Sequence, residues 1–226
     1  MISGADLRAQ VAVRYDRLGM PSWPDPHPGG TSPATDEYSR VSAPERYRIV
    51  PARAAVWVDS LSAVPGIDVR PVAAAALAEV GQRGRVTHAV RLSSTRPATL
   101  PLFLLTTQVP LAGAADSVAV LHICAARTSV VLEVLPDCGC DACDSGSDDL
   151  LEAIDDTISD LVTGPSVMLR GPGWYANWQP GGGASGGDGH GPDHDQMMQL
   201  CRRLSAGEDV SLPEHTEAFV GGAWLD

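Results

Sequence analysis

Between residues 67 and 135 the period of the apolar side chains changes to two, and no other feature narrows the fold of this chain so far. Val86, His88, Val90 and Leu92 alternate with more polar neighbours, and residues 100–107 form a β-rich run. Residues 118–124 and 128–135 read as two further strands. Only Ala125, Ala126 and Arg127 join those two. A parallel pair would need a crossover of roughly a dozen residues, so the pairing must be antiparallel. The spacing predicts a central antiparallel β-meander of about four to five strands.

Helical patterns flank this region. Leu7, Val11, Tyr15 and Leu18 recur at helical spacing over 4–19, behind a capping box of Ser3 and Asp6. Four prolines then fall within the eight residues 21–28, which predicts an extended segment that Trp23 can pin to the body. Ser42 precedes Pro44 and Glu45 at capping-box spacing, and Pro51 interrupts. The expectation is a short turn followed by a main helix over 51–63, burying Ala54, Val58 and Leu61 with Trp57 alongside. An Ala-rich stretch at 72–80 reads as another helix. The clearest helix is 148–162: Ser147 as N-cap, Asp148 and Asp149 at the positive end of the dipole, and a stripe of Leu151, Ile154, Ile158 and Leu161. Gly164 and Pro165 end it. Residues 167–170 read as a strand, 181–192 as a glycine-rich loop, and 193–205 as a helix carrying Met197, Leu200 and Leu204. The fold class is therefore α+β, with helices packed on the meander. A single domain is expected over 1–180, with 181–226 a glycine-rich loop and C-terminal extension.

Composition removes several classes of function. All sixteen basic residues are arginine. That excludes a phosphate-binding Walker lysine, a pyridoxal Schiff base and a Ser-Lys dyad. The formal charge of −12 repels phosphate backbones, so nucleic acid is not an expected partner. The same field suits a cation or a basic protein partner, although such charge commonly serves solubility alone. No run reaches the ~18 apolar residues of a membrane span, and the first residues lack the basic start of a signal peptide. The expected location is the cytoplasm, where five cysteines remain thiols or metal ligands.

Three of those cysteines fall in Cys138-Gly139-Cys140-Asp141-Ala142-Cys143-Asp144, between a strand and a helix. Thiols at this spacing can converge on one ion, and Gly139 permits a tight turn. Cys138, Cys140 and Cys143 are thus candidate zinc ligands. Cys124, His122 and Asp144 are candidates for the fourth position. A packed, inert turn is the equal alternative. Asp137, Asp141, Asp144, Asp148 and Asp149 crowd the turn, and negative neighbours raise a thiol pKa, which argues against redox chemistry.

Other constellations carry less. His190, Asp193, His194 and Asp195, with Asp188, hold metal-ligand types in a glycine-rich loop, where a solvated loop is the favoured reading. Ser185 sits in a G-x-S-x-G string without the strand and helix that a nucleophile elbow requires. His88 and His122 lie on strands and read as hydrogen-bonded core histidines rather than catalysts. Glu152, Asp155, Asp156 and Asp160 lie off the apolar stripe of their helix and read as a solvated face.

Four segments together carry a resemblance: Trp23 to Pro28, Asp36 to Val41, Pro44 to Tyr47, and the cysteine motif Cys138 to Asp144. They resemble a family of uncharacterised actinobacterial proteins that carry a domain of unknown function. The likeness covers roughly residues 10–180 and leaves out Cys124, Cys201 and the glycine-rich loop. It implies no activity. The expected function is a non-catalytic interaction or regulatory module with zinc, or a packed turn, at the cysteines. One alternative is an acidic immunity-type protein that neutralises a basic partner. Another is an enzyme using His88 or His122.

Overall fold

The computed structural model describes residues 2–72, 77, 84–111 and 116–225. The expected meander is present. Strands β1 (Ile67–Pro71), β2 (Arg85–Ser94), β3 (Leu102–Pro110), β4 (Ser117–Ala125) and β5 (Val131–Leu135) form one sheet in sequence order, every pair antiparallel. The expected helix at 72–80 lies, apart from Val72 and Leu77, outside the described residues.

Three helices cover one face of this sheet. They are α1 (Gly4–Asp16), α2 (Ile49–Ser62) and α3 (Ser147–Thr163). Leu7, Val11, Trp57, Leu61, Ile154 and Ile158 have no measurable exposure and meet Leu92, Leu102, Leu121 and Ile123 of the sheet. The Ser3 hydroxyl accepts from the Asp6 amide at 3.1 Å, so the expected cap of α1 forms. Leu18 does not join the stripe. The helix stops at Asp16, and Leu18 is 51% exposed.

A second, four-stranded sheet follows α3. Strands β6 (Ser166–Gly171), β7 (Trp174–Gln179), β8 (Gly182–Gly187) and β9 (Glu217–Gly221) order as β8-β7-β6-β9. Helix α4 (His194–Ser205) packs Met197, Met198 and Cys201 onto Val167, Leu169, Trp174 and Ala176. The glycine-rich segment expected as a loop is therefore in part a strand. It pairs with β7 from Trp174–Gly187 to Gln179–Gly182. Glycine shows no alternation and has a poor strand propensity, so only the partner strand reveals it. Strands from both sides of residue 180 share this sheet.

One buried charge pair ties α1, α2 and α3 together. Asp155 is 4% and Arg53 5% exposed. Arg53 Nε donates to Asp155 Oδ1 at 2.8 Å, its Nη2 donates to Oδ2, and Trp57 Nε1 donates to Oδ1 at 2.7 Å. The Arg53 guanidinium also lies 4.9 Å from the centre of the Tyr15 ring. This corrects the reading of Glu152, Asp155, Asp156 and Asp160 as one solvated row. Helical spacing turns Asp155 inward, beside Ile154 and Ile158. Asp156 stays exposed and pairs with Arg8.

Removing one partner leaves the other charge buried and uncompensated. Asp155→Ala should cost about 3–5 kcal/mol of unfolding free energy. The double substitution Arg53→Met with Asp155→Leu should cost clearly less than Asp155→Ala alone. Urea unfolding followed by tryptophan fluorescence measures both. An equal loss in the two variants would refute this account of α1–α2–α3 docking.

Candidate metal centre

Strand β5 ends at Leu135, and the chain turns through Pro136 and Asp137 into the cysteines. Residues Asp141–Cys143 form a single 3-10 turn, with Cys140 extended just before it. Gly139 lies directly on β4: a Cβ there would stand 3.3 Å from a methyl of Val118. This close approach seats Cys140 against the sheet at 6% exposure, while Cys138 and Cys143 face outward.

The three sulfurs lie within 4.8 Å of one another, and those of Cys138 and Cys140 are 3.2 Å apart. Four ligands at ~2.3 Å around tetrahedral zinc would place sulfurs about 3.8 Å apart, a value inside that range. Cys140 is the focus of the cluster. Burial opposes its ionisation. The S–H groups of Cys138 and Cys143 and the amides of Cys143 and Ala142 all point at its sulfur, outweigh burial, and lower its pKa. Cys143 shows the complement. It donates its S–H to Cys140, and with burial this pushes its own thiol up to about 12. Cys140 is thus the sulfur on which the other two cysteines converge.

The aspartates of the motif face away from the sulfurs. Asp141 accepts from the Ser42 hydroxyl at 2.6 Å, the Ser42 amide at 2.9 Å and Arg40 Nε at 2.8 Å. Burial pushes the Asp141 carboxyl up, but the Ser42 hydroxyl and the Arg40 guanidinium prevail and bring its pKa to about 2. Asp144, 6% exposed, accepts from Trp23 Nε1 at 3.0 Å and from the Gly146 amide at 3.0 Å, and pairs with Arg46 at 2.8 Å. The Arg46 guanidinium stacks 4.9 Å from the Trp23 ring and 5.1 Å from the Tyr47 ring. The expectation that these carboxylates raise every thiol therefore does not hold for Cys140. Their charge is met by arginines of the 21–48 segment.

Two capping assignments change for the same reason. Ser42 does not cap the turn Pro44–Arg48; both of its donors go to Asp141. Ser147 does not cap α3; it is the first helical residue, and its hydroxyl lies 3.1 Å from the Trp23 carbonyl and 3.1 Å from the Trp23 amide. Trp23 does pin the proline-rich segment, as its position suggested. Gly146, at φ 94°, makes room: a Cβ there would stand 2.7 Å from the Asp25 amide nitrogen.

None of the expected fourth ligands joins the sulfurs. Asp144 is occupied as above. Cys124 is fully buried with Phe103 and Leu105, and burial pushes its thiol up to about 12. His122 is four residues along β4 from Val118, on which Gly139 sits, and this is about 13 Å of strand. It is 8% exposed, with Nε2 3.4 Å from the Thr107 hydroxyl, and burial lowers its pKa. His88, expected in the core, is exposed beside a bulge in β2.

The glycine-rich candidates disperse. Asp193 caps α4 by accepting from the Gln196 amide at 2.8 Å, and Asp188 accepts from the His190 amide at 3.1 Å. Ser185 lies 2.9 Å from His194 Nδ1, but the pair is solvent-facing at the sheet edge. Among the described residues, Cys138, Cys140 and Cys143 form the one cluster of three or more metal-ligating side chains. Among them too, no helix is long and apolar enough to cross a membrane.

Trp23, Arg40, Ser42, Arg46 and Tyr47 thus converge on Cys138–Asp144, where the Tyr47 hydroxyl reaches the Gly139 carbonyl at 3.4 Å. A family of unknown function, DUF6226, matches residues 9–226. The chain belongs to that family. The match runs past residue 180 and takes in β8, α4 and Cys201, which the resemblance of four motifs left out. No curated protein and no solved structure matches the chain significantly.

The environment of His122 sets a pH dependence. Its folded pKa lies below the unfolded value of about 6.5. The unfolded chain then binds the extra proton first, so stability holds above about pH 6.5 and falls as pH drops toward the folded value. His122→Asn should flatten that fall. Urea midpoints between pH 7.5 and 5 test this, and an unchanged slope would reject it.

Proposed function

We propose that the chain is a non-catalytic interaction or regulatory module in which Cys138, Cys140 and Cys143 hold a zinc ion. One observation carries the reading: three sulfurs within 4.8 Å of one another, those of Cys138 and Cys140 only 3.2 Å apart. A divalent cation that displaces the thiol protons meets all three sulfurs at once and offsets two of the three thiolate charges. Amides aimed at a ligating sulfur are the outer-shell support that metal sites require. The preference for zinc follows from thiolate ligands and the absence of hard oxygen donors among the cluster. Three protein ligands leave one coordination position for an exogenous group. The arginine-only basic set and the abundance of Gly and Pro support the actinobacterial origin that the motifs imply.

Protein purified without chelator or histidine tag should carry near-stoichiometric zinc by inductively coupled plasma mass spectrometry. Cys138→Ser, Cys140→Ser and Cys143→Ser combined should abolish it. Apparent zinc affinity should rise with pH, because loading releases thiol protons. A metal-free wild-type chain that also fails to take up added zinc sinks the reading.

A further inference from the structure

A groove of about 490 Å³ runs from the cysteine turn along β4, within the size range of small-molecule sites. Cys138 and Cys140 line one end and His122 the other, with Val109, Val118, Val120 and Val134 between them. Tyr38, 60% exposed, stands at its rim and offers an uncovered aromatic ring. Among the described residues, no arginine lines the groove, and Asp137 is the charged residue that does. A ligand that reaches the sulfurs by this route must therefore travel uncharged, because a carboxylate would meet apolar walls, a carboxylate of the protein and no cation.

We propose that this groove binds a small apolar thiol whose sulfur takes the fourth coordination position of the zinc. The inference rests on the zinc reading above. A thiol is neutral in water near pH 7 and becomes an anion only on the metal. On binding, its S–H bond breaks, a zinc–sulfur bond forms, the proton passes to buffer and a water leaves the metal. The three thiolates already present make a soft fourth donor the suited one. The valines contact the hydrocarbon body of the ligand, and His122 bounds the far end.

Cobalt(II)-loaded full-length protein, titrated anaerobically with 1-hexanethiol or 2-mercaptoethanol, tests this. The thiolate-to-cobalt charge-transfer band should grow by about one-third as three Co–S bonds become four. Hexanethiol should half-saturate at a concentration roughly tenfold lower or more, because its extra methylenes are buried. Val134→Thr should weaken hexanethiol severalfold and leave 2-mercaptoethanol unchanged. If cobalt binds through three thiolates but neither thiol alters the band, if both act at one concentration, or if hexanethiol strips the metal, the thiol proposal falls while the metal site stands. If cobalt gives no thiolate band at all, the metal site falls first and the proposal with it.

Discussion

The cysteine turn keeps its shape because Asp144 is held in place from three sides. A buried carboxylate is costly unless its charge and lone pairs are met, and Asp144 meets Arg46, the Trp23 indole and the Gly146 amide. Each partner belongs to a different part of the fold. Arg46 comes from the turn before α2, Trp23 from the proline-rich strap, and Gly146 from the entry to α3. Removing Asp144 would therefore free the strap, the helix entry and the turn together. Asp141 repeats the device one turn earlier with Arg40 and Ser42.

That arrangement explains how a strongly acidic chain can keep a soft, electron-rich site. The net charge of −12 is a property of the surface, whereas at the turn the carboxylates and guanidinia cancel locally. Cys140 therefore responds to the hydrogens aimed at it more than to the overall field. Cys124 and Cys201 show the opposite case. Both are buried without such donors, and desolvation holds their thiols near 12 and 11. Whether a cysteine here is suited to a metal depends on its neighbours within bonding distance.

Much of the fold was legible in the sequence, for reasons that can be named. The meander was readable because alternation survives wherever one face is buried and the other is not, as in Val90 and Leu92. The α1 stripe was readable for the analogous helical reason. Asp155 was misread because a charge on a helix says nothing of a guanidinium arriving from α2. Ser42 and Ser147 were misread because local capping rules compete with distant partners, and here the distant ones prevailed. Strand β8 was hidden because glycine has no side chain to alternate. At the site, the clustering of Cys138, Cys140 and Cys143 was readable from spelling alone. The groove was not, since β4, β5 and residues 38–41 supply its walls from distant parts of the chain.

The separation between the strap and the turn has a consequence for how the molecule is made. Trp23 and Asp144 are 121 residues apart, and contacts of such range carry a large loop-closure entropy. The meander and its hairpins need only short loops and can form from β1 to β5 as each strand becomes available. The cysteine turn emerges at the end of that series, before α3 exists to receive the strap. The contacts from Asp144 to Trp23 and Arg46 therefore close late, and they fix the turn without covering Cys138 and Cys143, which stay exposed in the finished fold.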